Sequence, residues 1–419
     1  MRAEKPLREN PERLFARRSN AFSSHEVNRI MSEALIYFDN AATTFPKPAV
    51  TMEAMARCLR EAGGSPGRSG HRLSIEAGRV LFNARESLAG LFGISDSLRI
   101  ILTKNATEAL NIAICGLLKP GDHVITSGME HNSVMRPLRA LEPGGVNLTV
   151  ISCSPAGELD PADVARAIRK DTRAIVLTHA SNVTGTIMPV AAVGRIARER
   201  GVVFCVDAAQ TAGALPIDVQ AMQIDLLAFT GHKSLFGPQG TGGLYMRKGL
   251  EKEIAPIMRG GTGSHSELEE QPDFMPDCYE SGTPNTVGMA GLDAGAGFVA
   301  NRGVESIRVH EERLTGLFLA GIENIEGVRV YGLKDPSRQM PVVSIGIRGL
   351  DPAAVSMALD ERFGIMTRPG LHCAPAAHKT IETYPAGTIR FSFGFFNTEE
   401  QVGRALEAIR ELAGKRIRP

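Results

Sequence analysis

Tryptophan is absent from this sequence of 419 residues, and aromatic residues make up only 5% of it. The 47 lysines and arginines almost balance the 46 aspartates and glutamates, which leaves a formal net charge of +1. Nucleic-acid-binding proteins typically have excess positive charge or a basic stripe with interleaved aromatics, and this chain has neither. The apolar runs are short as well: the best, residues 112–118, is far below the roughly 20 residues of a membrane helix. We therefore expect no nucleic-acid partner and no membrane segment.

The six cysteines are widely separated in the sequence. They are Cys58, Cys115, Cys153, Cys205, Cys278 and Cys373. No two have C-x-x-C spacing, so the pattern of a zinc or iron–sulfur site is missing and we expect no metal. Most lie in apolar stretches such as NIAICGLL and VVFCVDAA, as small buried side chains do. This usage favours a reducing compartment, and we expect a cytoplasmic protein.

Residues 1–34 are rich in arginine and lack the periodicity of the rest. Transit peptides are poor in acids, whereas this segment holds several. They are Glu4, Glu9, Glu12 and Glu26. We expect a disordered extension, or a start assigned too early at Met1 with Met31 as the true start.

Helical and strand-like patterns alternate from about residue 85 to residue 250. The runs RAIVLTHA, GVVFCVDAA and DLLAFTGHK are almost continuously apolar, which is typical of parallel strands buried on both faces. The alternation predicts an open, mostly parallel α/β sheet. We expect a large α/β domain over residues 35–290 and a smaller α+β domain over residues 291–419.

Two helix starts are predicted in the smaller domain. Asp351 is a suitable N-cap, with Pro352 at the first helical position. Asn397 and Glu400 have the spacing of a capping box before the last helix, although such a box usually begins with Ser or Thr.

Polar residues follow each of the three apolar runs, at positions 179–182, 207–210 and 231–233. Ligands of open α/β sheets bind outside the carboxyl ends of the strands. We therefore expect these polar residues to form one site.

Lys233 directly follows one of these strands, and Asp207 ends the strand before it. An enzyme that uses pyridoxal 5'-phosphate (PLP) needs a lysine amine to hold the cofactor covalently. It also needs a carboxylate at the pyridine nitrogen, which keeps the ring an electron sink. Taken singly, such a lysine is usually a solvated strand end and such an aspartate usually caps a turn. The two residues together indicate a PLP site, but alone they leave these ordinary roles open.

Five segments in order resemble the cysteine desulfurase branch of the class V aminotransferases. They are FDNAATTFPKP, SNVTGT, VDAAQTAG, FTGHKS and ESGTPNT. The likeness runs from about Tyr37 to the C-terminus, and it implies a PLP-dependent enzyme of fold type I. Within the family the chain resembles the group II desulfurase and selenocysteine lyase branch. Residues 260–286 are most similar to a less-characterised, desulfurase-like subgroup.

The resemblance also implies how the cofactor is held. Lys233 would bind PLP and move the α-proton, Asp207 would pair with the pyridinium nitrogen, and Gln210 would reach the phenolic oxygen. His131 would stack on the ring and serve catalysis; on the residues alone it is an ordinary loop histidine. Phosphate favours a helix N-terminus and hydroxyl donors. The implied phosphate ligands are Ala106, Thr107, Thr230, His232 and, from the partner subunit of a homodimer, Thr283.

The substrate carboxylate would bind Arg390 in GTIRFSF, with Asn182 and Arg68 assisting, again by resemblance. An arginine on a strand can form the bidentate clamp that a carboxylate prefers. An arginine at the surface of a strand is equally common.

Cys373 lies in TRPGLHCAPAAH, beside His372 and Arg368 and among turn-forming residues. Positive neighbours and exposure favour the thiolate. At the matching position desulfurases carry their persulfide cysteine, so the resemblance implies that Cys373 is catalytic. Leu371 stands where the usual group II loop, HHCAQP, has a histidine.

The sequence is therefore interpreted as a cysteine desulfurase that converts L-cysteine to L-alanine through a persulfide on Cys373. A small thiol or a sulfur-carrier protein would accept the sulfur. The enzymatic rivals are a selenocysteine lyase and a true aminotransferase or β-eliminating lyase, in which Cys373 is incidental. A non-catalytic PLP-binding regulator is a rival of another class, but nothing here resembles a DNA-binding helix-turn-helix.

Overall fold

The computed structural model describes residues 35–67, 70–265 and 267–414. The extension predicted over residues 1–34 lies outside the described residues. Among the helices that are described, none is both long and apolar enough to cross a lipid bilayer.

The helices are named here in chain order. They are α1 (Ala49–Glu61), α2 (Arg72–Phe92), α3 (Ala106–Leu117), α4 (Asn132–Leu141), α5 (Pro161–Ala167), α6 (Val190–Arg200), α7 (Thr286–Arg302), α8 (Val304–Ile322), α9 (Pro352–Phe363), α10 (Pro375–Thr380) and α11 (Glu399–Gly414).

The strands are named in the same way. They are β1 (Ile36–Tyr37), β2 (Ile100–Thr103), β3 (His123–Ser127), β4 (Asn147–Ile151), β5 (Thr172–Thr178), β6 (Val203–Asp207), β7 (Leu226–Thr230), β8 (Gly242–Met246), β9 (Val328–Tyr331), β10 (Val342–Ile347), β11 (Ile365–Met366), β12 (Arg368–Gly370) and β13 (Thr388–Ser392).

A seven-stranded sheet of order β2-β8-β7-β6-β5-β3-β4 forms the larger half of the molecule. Only β8 runs antiparallel to its neighbours. Alternate residues of β5 enter two different apolar clusters, Ile175 and Leu177 in one and Ala174 and Val176 in the other. Both faces of the sheet are therefore covered, as the continuous apolar runs require. The predicted mostly parallel sheet is confirmed.

A second sheet, of order β12-β13-β10-β9, is antiparallel throughout. Its core includes Phe318 from α8 and Phe391 from β13, with ring centroids 4.9 Å apart. The first described strand, β1, pairs with β11 near this sheet rather than with the seven-stranded one. The division expected after residue 290 falls inside α7.

One of the two predicted helix starts is confirmed and the other is wrong by one residue. The side chain of Asp351 accepts hydrogen bonds from the backbone N–H groups of Ala353 and Ala354, at 2.9 and 3.0 Å. The capping box of α11 is formed by Thr398 and Gln401, whose side chains each accept from the other's backbone N–H at 3.3 Å. The amide of Asn397 is engaged elsewhere: its Oδ1 accepts from Asn40 and Gly394, and its Nδ2 donates to the carbonyl of Tyr37.

Gly213 permits a close contact beneath the turn that follows β7. Its φ is +90°, and an added Cβ would lie 2.4 Å from the carbonyl oxygen of Ser234. Gly201, the C-cap of α6, also has a positive φ, of +66°, but an added Cβ would meet nothing within 4 Å. Comparing the two glycines therefore distinguishes the cost of a left-handed backbone, which both share, from the cost of a steric clash, which only Gly213 has.

We expect Gly213→Ala to destabilise the protein more than Gly201→Ala does. Both replacements place a side chain in left-handed backbone, at about 1 kcal/mol. Only the first also drives a methyl group into backbone, which adds about 1–3 kcal/mol. Urea unfolding of the two variants measures the difference. Equal losses of stability would show that the turn after β7 shifts to accommodate the added methyl group at no cost.

Candidate active site

A cavity of about 190 Å³ lies at the carboxyl ends of β5, β6 and β7, where an open α/β sheet binds ligands. Eleven residues with expected site roles line it. They are Ala106, Thr107, His131, Asn182, Asp207, Gln210, Thr230, His232, Lys233, Cys373 and Arg390. A larger groove of about 660 Å³ lies beside α4 and α10, but its lining has no carboxylate. The smaller cavity is therefore the candidate active site.

Two expected site residues are not found in this cavity. Thr283 is exposed in the loop before α7 and does not line the cavity within one chain. Arg68 lies outside the described residues. The described residues also contain no group of histidine, cysteine and acidic side chains that could hold a metal ion.

Lys233 and Asp207 face the same buried space. Asp207 is the last residue of β6 and is only 4% exposed, and its Oδ1 accepts the backbone N–H of Ala209 at 2.9 Å. Burial raises the pKa of Asp207 and lowers the pKa of Lys233 to about 8, although the two opposite charges act the other way on each group. Burial thus outweighs their attraction. The lysine amine is neutral far more often than one in water.

His131 lies at the N-cap of α4 with its ring lining the cavity. Its Nδ1 accepts the backbone N–H of Ser133 at 3.0 Å, which places the proton of a neutral ring on Nε2. Burial, reinforced by the charge of Lys233, lowers the pKa of His131 to about 4. The ring is therefore an uncharged, flat surface at neutral pH.

One end of the cavity is rich in hydrogen-bond donors. The side chain of Asn105 caps α3 by accepting the N–H of Glu108 at 2.9 Å. The N–H groups of Ala106 and Thr107 begin that helix, so they have no partner within it. His232 adds an Nδ1 atom that is buried without a hydrogen-bond partner. An anion with several acceptor oxygens would satisfy these groups.

Arg390 is completely buried on β13. One of its terminal nitrogens donates to the carbonyl of Asn182 at 3.0 Å, and the other donates to Asp39 Oδ1 at 2.6 Å. Its Nε is buried with no partner, so the guanidinium keeps a donor for a further acceptor. A carboxylate oxygen would satisfy this remaining N–H.

Cys373 is the only exposed cysteine of the six, all of which the structure describes. Burial raises the pKa of the other five thiols, that of Cys153 to about 11. The Sγ of Cys373 lies 3.8 Å from a terminal nitrogen of Arg368. The structure therefore presents one accessible thiol, next to a guanidinium, at the cavity.

Sequence reasoning missed two residues of the site. Asp39, which holds Arg390, lies in FDNAATT and was given no role. Ser133 links His131 to Thr107, with oxygen-to-oxygen distance 2.7 Å to the threonine. Only the position of Asp39 within a quoted motif and that of Ser133 two residues after His131 could have pointed to them.

Known proteins share this architecture and much of this sequence. Residues 36–405 match the family described as aminotransferase class-V. A probable cysteine desulfurase from Methanothermobacter thermautotrophicus is 36% identical over 90% of this chain and 95% of its own length. The cysteine desulfurase IscS of Photobacterium profundum is 34% identical over 91% and 93%. The apo structure of the cysteine desulfurase from Thermococcus onnurineus has a TM-score of 0.86 at 34% identity and covers 92% of this chain and 96% of that one.

These relatives decide the family. This chain belongs to the cysteine desulfurase family of class V aminotransferases. The predicted family and fold type I are thereby confirmed, as is the predicted class of enzyme.

Class V aminotransferases use PLP, and the residues of this desulfurase-family chain fit that group. Lys233 would supply an amine for the aldehyde, and Asp207 would supply a buried carboxylate for the ring nitrogen. The unpartnered Nδ1 of His232 and the start of α3 would form an anion site for the phosphate. The amine, the carboxylate and the anion site that PLP requires thus occur together in one cavity.

Lys233→Ala should abolish covalent attachment of PLP, because Lys233 is the only lysine among the described residues that line the cavity. With a pKa of about 8, roughly a tenth of the Lys233 amines are neutral at pH 7. The attachment rate should therefore rise with pH up to about 8 and then level off. Borohydride reduction followed by peptide mapping measures both the site and the rate.

Lys47 provides a matched control. Burial lowers the pKa of Lys47 to about 8 as well, but its Nζ donates to Thr44 Oγ1 and to the carbonyl of His232, both at 2.6 Å. Lys47→Arg should keep the attachment to Lys233. A reduced pyridoxyl group on Lys47, or on any lysine except Lys233, would contradict the assignment.

Proposed function

We propose that this protein is a cysteine desulfurase that releases L-alanine from L-cysteine and leaves the sulfur as a persulfide on Cys373. The observation that carries the proposal is the single exposed thiol beside the cavity that contains Lys233 and Asp207. A true aminotransferase needs the lysine but no thiol. Bound in this cavity, PLP supplies an electron sink for the carbon skeleton of the substrate.

Arg390 and Asn182 bind and orient the amino-acid substrate. The unpartnered Nε of Arg390 receives the carboxylate, and Asp39 and the carbonyl of Asn182 hold the guanidinium in place. The side chain of Asn182 also donates to the carbonyl of His372 at 2.7 Å. Asn182 thus accepts a hydrogen bond from Arg390 with its carbonyl and also holds the cysteine loop with its side chain.

Lys233 holds and moves the proton from the α-carbon. Its amine, with a pKa of about 8 because of burial, is a base poised near neutral pH. His131 contributes a neutral ring as a flat surface over the cavity, since burial lowers its pKa to about 4. The site thus combines a lysine base whose pKa is near neutral with an uncharged histidine ring beside it.

Cys373 accepts the sulfur. Its thiolate Sγ attacks the sulfur of the substrate, forming an S–S bond as the Cβ–S bond breaks. The electron pair of the broken bond stays with Cβ, which takes a proton and becomes the methyl group of alanine. A second thiolate, on a small molecule or an acceptor protein, then attacks the terminal sulfur and returns Cys373 to its thiolate. A terminal nitrogen of Arg368 lies 3.8 Å from Sγ and donates toward it.

We place the protein in the group II branch, which includes selenocysteine lyases, on the likeness of LHCAPAAH to the group II loop. Leu371 departs from that loop, and it is half-buried before the turn that carries Cys373. Selenocysteine is the second candidate substrate, since a selenol is more acidic than a thiol and selenium leaves more readily.

We also propose a cytoplasmic location and a functional division near residue 290. Six unpaired cysteines support a reducing compartment. The two separate sheets, each with its own apolar core, support a large domain over residues 35–290 and a small one over residues 291–419.

A homodimer is proposed from the exposed apolar side chains near Thr283. Many large exposed hydrophobic residues lie in residues 45–82 and 257–274. They are Phe45, Val50, Met52, Leu59, Leu73, Ile75, Phe82, Ile257, Met258, Leu268 and Phe274. The helices α1 and α2 pack against α7, whose preceding loop carries Thr283. A concentration of exposed apolar surface is typical of a protein interface, and here it adjoins the proposed phosphate ligand.

Replacing Cys373 with Ser should leave PLP attachment to Lys233 intact and lower alanine formation from cysteine about a thousandfold or more, as removal of a nucleophile does. Selenocysteine should lose less. Chromatographic assay of alanine and of keto acids from cysteine, selenocysteine and alanine distinguishes the candidates. Cys153→Ser, which removes a half-buried thiol outside the cavity, should match the wild type. Full alanine production by Cys373→Ser would rule out the persulfide step.

Thr283→Ala should weaken PLP binding while the protein remains a dimer, because the hydroxyl would reach the phosphate of the partner's site. Equilibrium dialysis gives the affinity, and light scattering gives the mass. A monomer that binds PLP fully would refute both the dimer and the role of Thr283.

A further inference from the structure

The buried histidines His372, in the cysteine loop, and His378, in α10, have no role in the proposed reaction. His372 is 3% exposed and His378 is fully buried. His372 Nδ1 lies 3.2 Å from His378 Nε2, and His372 Nε2 lies 2.9 Å from the carbonyl oxygen of Arg368. At the far end, His378 Nδ1 lies 2.6 Å from Thr383 Oγ1. Thr383, His378 and His372 are called the histidine chain below.

The histidine chain has one consistent arrangement of protons. A carbonyl oxygen can only accept, so the proton of His372 is on Nε2. Burial lowers the pKa of His372 to about 2 and that of His378 to about 4, so both rings are neutral near pH 7. The bare Nδ1 of His372 then requires a donor, which only Nε2–H of His378 supplies. The bare Nδ1 of His378 in turn accepts the hydroxyl of Thr383.

The histidine chain supports a strained turn. The N–H of Ala374 donates to the carbonyl of Leu371 at 2.8 Å, and the two residues between them have positive φ, +51° at His372 and +57° at Cys373. Left-handed backbone is unfavourable for a residue with a side chain. Hydrogen bonds from outside the turn must therefore hold it in this conformation.

The bond from His372 to the Arg368 carbonyl is one of these supports, and it ties the turn to β12. The side chain of Arg368 lies 3.8 Å from the Sγ of Cys373. The same hydrogen bond thus fixes both the turn and Arg368, whose charged side chain lies beside the thiol.

We propose that His378 is a positioning residue for Cys373, which it holds in place by fixing the proton on Nε2 of His372 and so the bond from His372 to Arg368. His378 does not line the cavity and acts through His372. The effect on turnover rests on the proposed persulfide function, whereas the effect on the thiol itself does not.

Two replacements of His378 separate the donor from the rest of the ring. In His378→Gln the side-chain amide nitrogen reaches the place of Nε2 and still donates to His372. In His378→Asn the amide lies at the place of Nδ1, so it keeps the contact with Thr383 and loses the donor. Both variants are polar and smaller than histidine, which makes each the control for the other.

We expect His378→Gln to stay close to the wild type and His378→Asn to lower kcat for alanine formation about ten- to a hundredfold, the cost of a misplaced reacting group. The KM for cysteine and the PLP content should not change, since Arg390 and Lys233 are untouched. Alkylation of Cys373 by iodoacetamide, followed by mass spectrometry, should slow only in His378→Asn. Equal behaviour of the two variants, whether both impaired or both unaffected, would overturn the proposal.

Neutron diffraction from the wild-type holoenzyme tests the same point without a variant, so a misfolded His378→Asn would not end the test. The expected deuterons are on Nε2 of both His372 and His378. A deuteron on Nδ1 of His372 would overturn the proposal. If the wild type forms no alanine from cysteine, the proposed function fails, yet the alkylation and neutron results still decide the role of His378.

Discussion

The buried guanidinium of Arg390 lies where the two sheets meet, and its bonds to two groups join three distant parts of the chain. Its own strand belongs to the antiparallel sheet, the carbonyl of Asn182 follows β5 of the large sheet, and Asp39 follows β1. Removing one partner from a buried ion pair typically costs about 3–5 kcal/mol, because a charge is left unpaired. Arg390, which we propose binds the substrate, is thus one of the contacts that hold the two halves of the molecule together. On that proposal, substrate binding and the alignment of the halves cannot be varied independently.

Burial is the second constraint, and it prepares the bases of the site. It lowers the pKa values of Lys233, His131 and His232, while it raises that of Asp207. Each of these side chains would be charged more often in water, and each is driven toward its neutral form by the same apolar surroundings. A cofactor with a phosphate and a pyridine nitrogen would return charge to this space, and Asp207 would gain a cationic partner from it. The residues of the cavity therefore fit an anionic ligand with one protonated nitrogen.

Sequence patterns predicted the local part of this architecture and missed the part that depends on distant contacts. Continuous apolar runs identified β5, β6 and β7, and the polar residues after them identified Asp207 and Lys233, because strand ends in a parallel sheet meet at one edge. Arg390 was found only by resemblance. The capping box of α11 was misplaced by one residue, because Asn397 bonds to Asn40, which is more than 350 residues away in sequence. No periodicity records such a pairing, and the same holds for the contact between Asp39 and Arg390.

The turn that carries Cys373 depends on such distant contacts, because hydrogen bonds from both halves of the molecule hold it. The turn is held from the large sheet side by Asn182, which donates to the carbonyl of His372, and by the N–H of Asn132, which donates to the carbonyl of Cys373 at 2.8 Å. It is held from the antiparallel sheet by the bond to the Arg368 carbonyl. Neither half alone supplies all the bonds that offset two residues in left-handed backbone. The thiol therefore takes this position only while both halves are in contact, so the placement of Cys373 is a property of the assembled fold and not of its loop alone.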